Sequence, residues 1–80
     1  MKLPRDLSGS DLARALARVG YRTTRQTGSH MRLTANVPAP HHITIPVHDP
    51  LKVGTLAAIL GEVAGHLKVD RDELMRRLFD

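Results

Sequence analysis

The chain has 80 residues. At that length roughly 60% of the unfolded chain's surface can be buried, so one domain over residues 1–80 with one modest core is expected. It has no cysteine, which excludes disulfides, thiolate nucleophiles and cysteine-containing zinc sites. Twelve Lys and Arg against eight Asp and Glu give +4, unevenly spread: residues 1–40 carry seven basic and two acidic side chains, residues 41–80 five and six.

Ser8 has the chemistry of a helix N-cap, with Asp11 three residues later in the capping-box position. Leu12, Leu16 and Val19 follow at helical spacing and Gly20 ends the run, predicting a helix over Ser10–Val19. Tyr21–Thr27 and Ser29–Ala35, rich in Thr and alternating residues around Gly28, read as a β-hairpin. A two-residue turn at Thr27-Gly28 would set Arg25 opposite His30 on the open face, and the same parity sends Tyr21 outside, unless a bulge intervenes. The prolines of Asn36–Pro40 mark a loop. His41–Val47 is a strand with Ile43, Ile45 and Val47 on one face, and Pro46 implies an edge position or the end of the ladder.

Thr55 reads as the cap of a second helix carrying Leu56, Ile59, Leu60, Val63 and Leu67, weakened by Gly61 and Gly65. A third begins at Asp70 with Glu73 in the capping-box position, Leu74 and Leu78 as its apolar stripe, and Arg76 and Arg77 at its negative end. The order α-β-β-β-α-α predicts an α+β fold, a three-stranded antiparallel sheet with helices on one face. Its expected core is Leu12, Leu16, Val19, Met31, Leu33, Ile43, Ile45, Leu56, Ile59, Leu60 and Val63. The other sheet face is left for solvent or a ligand.

A basic half points to a polyanionic partner, nucleic acid first. Tyr21 and Phe79 are the only aromatics, which disfavours reading single strands by base stacking. The longest aliphatic run, Leu56–Leu60, is far short of a membrane span, and Met1–Asp6 lacks the apolar stretch of a secretion signal. A soluble cytoplasmic protein is expected.

If Met31 and Leu33 face the core, His30, Arg32 and Thr34 face outward, as do His42 and Thr44 on the third strand. Gly28-Ser29-His30 puts a hydroxyl and backbone N–H groups beside a group that titrates near neutrality. Cutting RNA through its own 2′-OH needs a base, an acid and cations on the phosphate, and no metal. Taken alone, the triplet is also an ordinary turn followed by a surface histidine. Lys52 precedes a helix N-terminus, where it would add charge to a phosphate-attracting end. The five histidines match no zinc spacing: His41 and His42 point to opposite faces, and His66 has no helical ligand partner. There is no Gly-x-Ser-x-Gly elbow, and the carboxylates cluster at helix starts as caps.

Arg25-Gln26-Thr27-Gly28-Ser29-His30, then Ile43–His48, then Gly54-Thr55-Leu56 with Ile59-Leu60, resemble the HicA toxins, as does the opening Lys2–Gly9. The likeness runs in order from about Lys2 to Leu60. It implies a double-stranded-RNA-binding-domain-like fold, with a HicA-like core over about 2–67 and an extra C-terminal helix over about 70–79. It also implies a metal-independent mRNA interferase with no cofactor, held inactive by a HicB-like antitoxin protein. His30, which follows Gly-Ser, takes the place of the family's catalytic histidine, with Arg25, Gly28, Ser29, Arg32 and Lys52 as candidate RNA contacts. Many members have a second histidine where Met31 stands here; if that histidine supplies the acid, this chain needs another, with His42 and His48 as the candidates. A non-catalytic double-stranded-RNA binder and a protein-interaction module are the readings from other classes.

Overall fold

The computed structural model describes Pro4 and residues 6–80; Lys2, Leu3 and Arg5 of the opening motif lie outside the described residues. Helix α1 spans Gly9–Leu16, one residue earlier than periodicity alone predicts. Its start is set by the capping box: Ser8 Oγ accepts from the Asp11 N–H at 3.0 Å, and the Asp11 carboxylate accepts from the Ser8 N–H at 3.4 Å. A 3₁₀ turn, Ala17–Val19, follows, and Gly20 leaves it in the left-handed region at φ 96°.

Strands β1 (Arg22–Gln26), β2 (His30–Ala35) and β3 (His41–Pro46) form an antiparallel sheet in the order β1-β2-β3. Pro46 is both the last residue of its ladder and on an edge strand, where a missing N–H costs nothing. The β2–β3 register is unbroken from His30 opposite Pro46 to Ala35 opposite His41. The β1–β2 register is not. Arg22 and Thr23 face Thr34 and Leu33, but Arg25 and Gln26 face Arg32 and Met31, so Thr24 is an extra residue bulged out of the ladder.

The bulge corrects the expectation for Tyr21. One added residue inverts the side-chain parity upstream of it, so Tyr21 turns inward and is fully buried, with 0% of its surface exposed. The turn is also one residue later than expected. Thr27 N–H donates to the His30 carbonyl at 2.9 Å, which makes Gly28 and Ser29 the turn residues and sets Arg25 opposite Arg32 rather than His30. Gly28 lies outside the left-handed region and has open space where a Cβ would stand, so this turn does not require glycine.

Helix α2 spans Val53–Leu67. Its N-cap is Lys52, whose carbonyl accepts from the Leu56 N–H at 2.9 Å; Thr55, expected as the cap, lies inside the first turn. The two glycines do not interrupt it, because Leu56, Ile59, Leu60, Val63 and Ala64 are buried along one face. Helix α3 spans Arg71–Phe79, capped by Asp70, whose side chain accepts from the Glu73 N–H at 2.8 Å. The Glu73 side chain turns to Arg76 and Arg77, whose hydrogen bonds hold its carboxyl below the usual carboxylate range.

Ten of the eleven expected core residues are buried; Val19 is half-buried and packs at the rim. Tyr21, Ala35, Leu51, Ala64, Leu74, Met75 and Leu78 complete the core. The last three make α3 part of it. Arg18 ties that helix down by donating to the Leu78 and Asp80 carbonyls at 2.9 and 2.7 Å, groups left without partners at a helix end. The buried positions of β2 and β3 alternate with exposed ones, so the helices cover one sheet face and leave the other open. This is a double-stranded-RNA-binding-domain-like α-β-β-β-α arrangement with one further helix.

Candidate active site

The open face carries a cleft of about 190 Å³ lined by Arg25, Thr27, His30, Arg32 and Thr44. The strands assemble it through pairing. Thr27 and Arg25 on the β1 side stand opposite His30 and Arg32, and Thr44 of β3 stands opposite Arg32. Arg25, His30 and Arg32, distant from one another by up to seven positions in the chain, are thereby brought to one depression.

His30 is exposed, and its Nδ1 lies 3.0 Å from Ser29 Oγ. That contact holds the ring and engages one nitrogen, leaving Nε2 for a ligand. If Ser29 donates, Nδ1 is the acceptor and the neutral ring carries its proton on Nε2; if Nδ1–H donates to Ser29, Nε2 is a base when the ring is neutral and an acid when it is the imidazolium. Arg25 and Arg32 face each other across the ladder, and neither forms an ion pair among the described residues. Like charges directly opposite on a sheet are destabilising, and a bound anion relieves the repulsion.

A second row of polar side chains crosses the same face nearer its other end. Thr24 Oγ1 lies 2.9 Å from Thr34 Oγ1, which lies 2.8 Å from His42 Nδ1. Thr24 Oγ1 is also 3.3 Å from the Arg32 carbonyl. If the Thr24 proton goes to that carbonyl, Thr34 donates to Thr24 and His42 Nδ1–H donates to Thr34, which leaves His42 Nε2 as an acceptor. His42 stands four positions along β3 from Pro46, the partner of His30. At about 3.3 Å per residue this separates the two histidines by roughly 13 Å along the strand, too far to act on one phosphodiester together. His48 lies only two positions beyond Pro46, exposed, with its carbonyl accepting from the Gly9 N–H at 2.8 Å.

The remaining candidates separate. Lys52 is exposed at the start of α2 and does not line the cleft; Gly28 and Ser29 form the turn at its rim. Met31 points to the core, 4% exposed, as parity predicts. Thr27 and Thr44 line the cleft without having been singled out as ligands; Thr44 carried a signal in its outward parity, Thr27 none until the turn was placed.

On the covered side, Tyr21 Oη lies 2.8 Å from His41 Nδ1, and the His41 and His66 rings stack with centroids 4.4 Å apart. Burial, with the Glu62 charge as a lesser cause, pushes the Tyr21 hydroxyl up to about 12. His41 thus serves the core while its neighbour His42 serves the open face. Among the described residues no group of three or more His, Asp or Glu could hold a metal ion, and no helix is long and apolar enough to cross a membrane.

Comparison of the chain with curated proteins and with solved structures gives no significant match. A family model does match, described as the HicA toxin of bacterial toxin–antitoxin systems, over residues 9–65. The matched segment runs from the first residue of α1 nearly to the end of α2 and contains the whole cleft; α3 lies beyond it. The chain belongs to the HicA family of toxins from bacterial toxin–antitoxin systems.

Proposed function

We propose that this toxin is an endoribonuclease that cleaves mRNA, with His30 as general acid or base and Arg25 and Arg32 as the phosphate site. The observation that carries the reading is the cleft itself: an imidazole, held by Ser29, beside two guanidinium groups that form no ion pair among the described residues. In the route that this arrangement fits, a base removes the proton of a 2′-OH and the oxygen attacks the adjacent phosphorus. The 5′-oxygen departs with a proton from an acid, leaving a cyclic 2′,3′-phosphate and a free 5′-OH. Arg25 and Arg32 would meet charge that grows on the non-bridging oxygens, and Ser29 and the Gly28 backbone would position the strand. Thr27 and Thr44 would add hydroxyl contacts at the cleft wall. Lys52 is left to more distant backbone, outside the cleft. The position of His48 near the His30 end of the ladder favours it over His42 as the second proton-transfer group. A protein antitoxin of the HicB kind would restrain the activity.

The test is cleavage of RNA in EDTA by the purified chain, freed of any bound partner, beside His30→Ala. Loss of one acid–base group costs about 10²–10⁴ in rate, while RNA affinity, dominated by backbone charge, persists. His30 is exposed, so the variant keeps its core. Equal cleavage by the two proteins would remove His30 from the mechanism; intact RNA with both would favour a non-catalytic RNA binder.

A further inference from the structure

Along the outer edge of β3, beside α2, runs a groove of about 350 Å³ lined by His42, Ile43, Thr44, Ala58, Ile59 and Glu62. No residue of β2 lines it, which puts it on the side of β3 away from the sheet. The phase of the ladder tells which backbone groups it exposes. Val47 N–H donates to the Ser29 carbonyl at 2.9 Å, so residues 29 and 47 form a hydrogen-bonded pair. Such pairs alternate along an antiparallel ladder, so Ile45 and Ile43 bond to β2, whereas Thr44 and His42 sit in the pairs that do not. The N–H and C=O groups of Thr44 and His42 therefore point outward into the groove.

Free strand edges are usually blunted by bulges, charges or proline. β1 has the Thr24 bulge and exposed Arg22 and Arg25. At the end of β3, Pro46 has no N–H, and Gly9 packs against its carbonyl. The stretch between has none of these devices. Its flank is apolar at Ala58 and Ile59 and carries one exposed carboxylate, Glu62, which makes no ion pair among the described residues.

We infer that this edge takes an extended segment of a protein partner as a fourth strand, with a Lys or Arg side chain directed to Glu62. The main chain of such a segment satisfies up to four outward groups of Thr44 and His42, and its inward side chains cover Ala58 and Ile59. A second copy of this chain fits less well, because it would bring its own α2 to the same flank and set Glu62 against its counterpart. The outward side chains of the added strand stand next to Thr44, which also lines the His30 cleft, so one docked segment reaches the margin of that cleft.

The test is an amide NMR titration of the full chain with a capped seven-residue peptide alternating threonine and valine around a central lysine. Its controls are the same peptide N-methylated at alternate amides, and Glu62→Lys. The expected result is shifts and slowed solvent exchange at the His42 and Thr44 amides, lost on N-methylation. An exposed charge pair is worth about 0.2–1 kcal/mol, so Glu62→Lys weakens the lysine peptide up to about fivefold and strengthens its glutamate-centred counterpart. Absence of shifts at millimolar peptide, or equal binding of the methylated peptide, overturns the inference. So does movement of the same amides on simple dilution of the protein, which would assign the edge to self-association. Binding does not depend on His30 chemistry, so His30→Ala retains it, and its failure would leave the RNA-cleavage reading untouched.

Discussion

Gly9 and Gly65 both lie within helices, where replacing glycine by alanine ordinarily stabilises by about 0.5–1 kcal/mol. The structure gives the two substitutions opposite signs. A Cβ on Gly65 meets nothing within 4 Å, so Gly65→Ala should follow propensity and stabilise. A Cβ on Gly9 would overlap the Pro46 carbonyl oxygen outright, with the carbonyl carbon at 3.2 Å and Ile45 Cγ2 at 3.4 Å. Those are backbone atoms at the end of β3 and a buried side chain, none free to swing aside. Restoring ordinary contact moves the start of α1 away from β3 by on the order of 1 Å. That shift strains the 2.8 Å bond from Gly9 N–H to the His48 carbonyl. Overpacking of this kind costs about 1–3 kcal/mol. In an 80-residue chain each kcal/mol is worth about 4–8 °C, so Gly9→Ala should lower Tm by about that much for every kcal/mol by which overpacking exceeds the propensity gain, while Gly65→Ala raises it. Thermal unfolding followed by circular dichroism decides the matter. A Gly9→Ala protein as stable as the parent would show that α1 does not seat on the end of β3 as described.

Alkaline titration of tyrosinate absorbance should show a single transition near 12, against 10.0 for an ordinary tyrosine, since Tyr21 is the only one in the chain. The fold favours the neutral phenol. Its contribution to stability is therefore complete below pH 10 and is lost as pH rises towards 12, which denaturant midpoints across that window will measure. Arg25→Ala and Arg32→Ala should each lower the slope of log K for RNA against log salt by about 0.7 if each contacts one phosphate of a single strand. An unchanged slope in either variant would remove that residue from the phosphate site.

Local chemistry made the elements legible. Caps at Ser8, Gly20 and Asp70, and apolar spacing along α2, are short-range signals, and each lies where its residues imply. The strands' faces were legible wherever parity ran without interruption: Met31 and Leu33 in, His30, Arg32 and His42 out. Parity failed at Tyr21 because nothing in Arg22-Thr23-Thr24-Arg25 marks which residue will be extra; only pairing with β2 decides it. The position of the turn, at Gly28-Ser29 rather than Thr27-Gly28, determined that Arg25 meets Arg32 and that Thr27 joins the cleft. Lys52 illustrates another limit. Its helix end was readable from neighbours, but its distance from the open face depends on how α2 lies across the sheet. α3 announced itself through Leu74 and Leu78, though not that Met75 would also be buried.

The bulge at Thr24 sets unequal tolerance to two kinds of sequence change. Its side chain is exposed, and exchanging it forfeits only a hydroxyl's hydrogen bonds at the surface. Deleting the residue is a different matter. The strand would then run in step with β2, and either Tyr21 would leave the core or Arg25 would leave the cleft. Five residues must lie between Tyr21 and Thr27 for the buried phenol and the phosphate site to coexist on opposite faces of one strand. At position 24 the sequence stores a count rather than a chemistry.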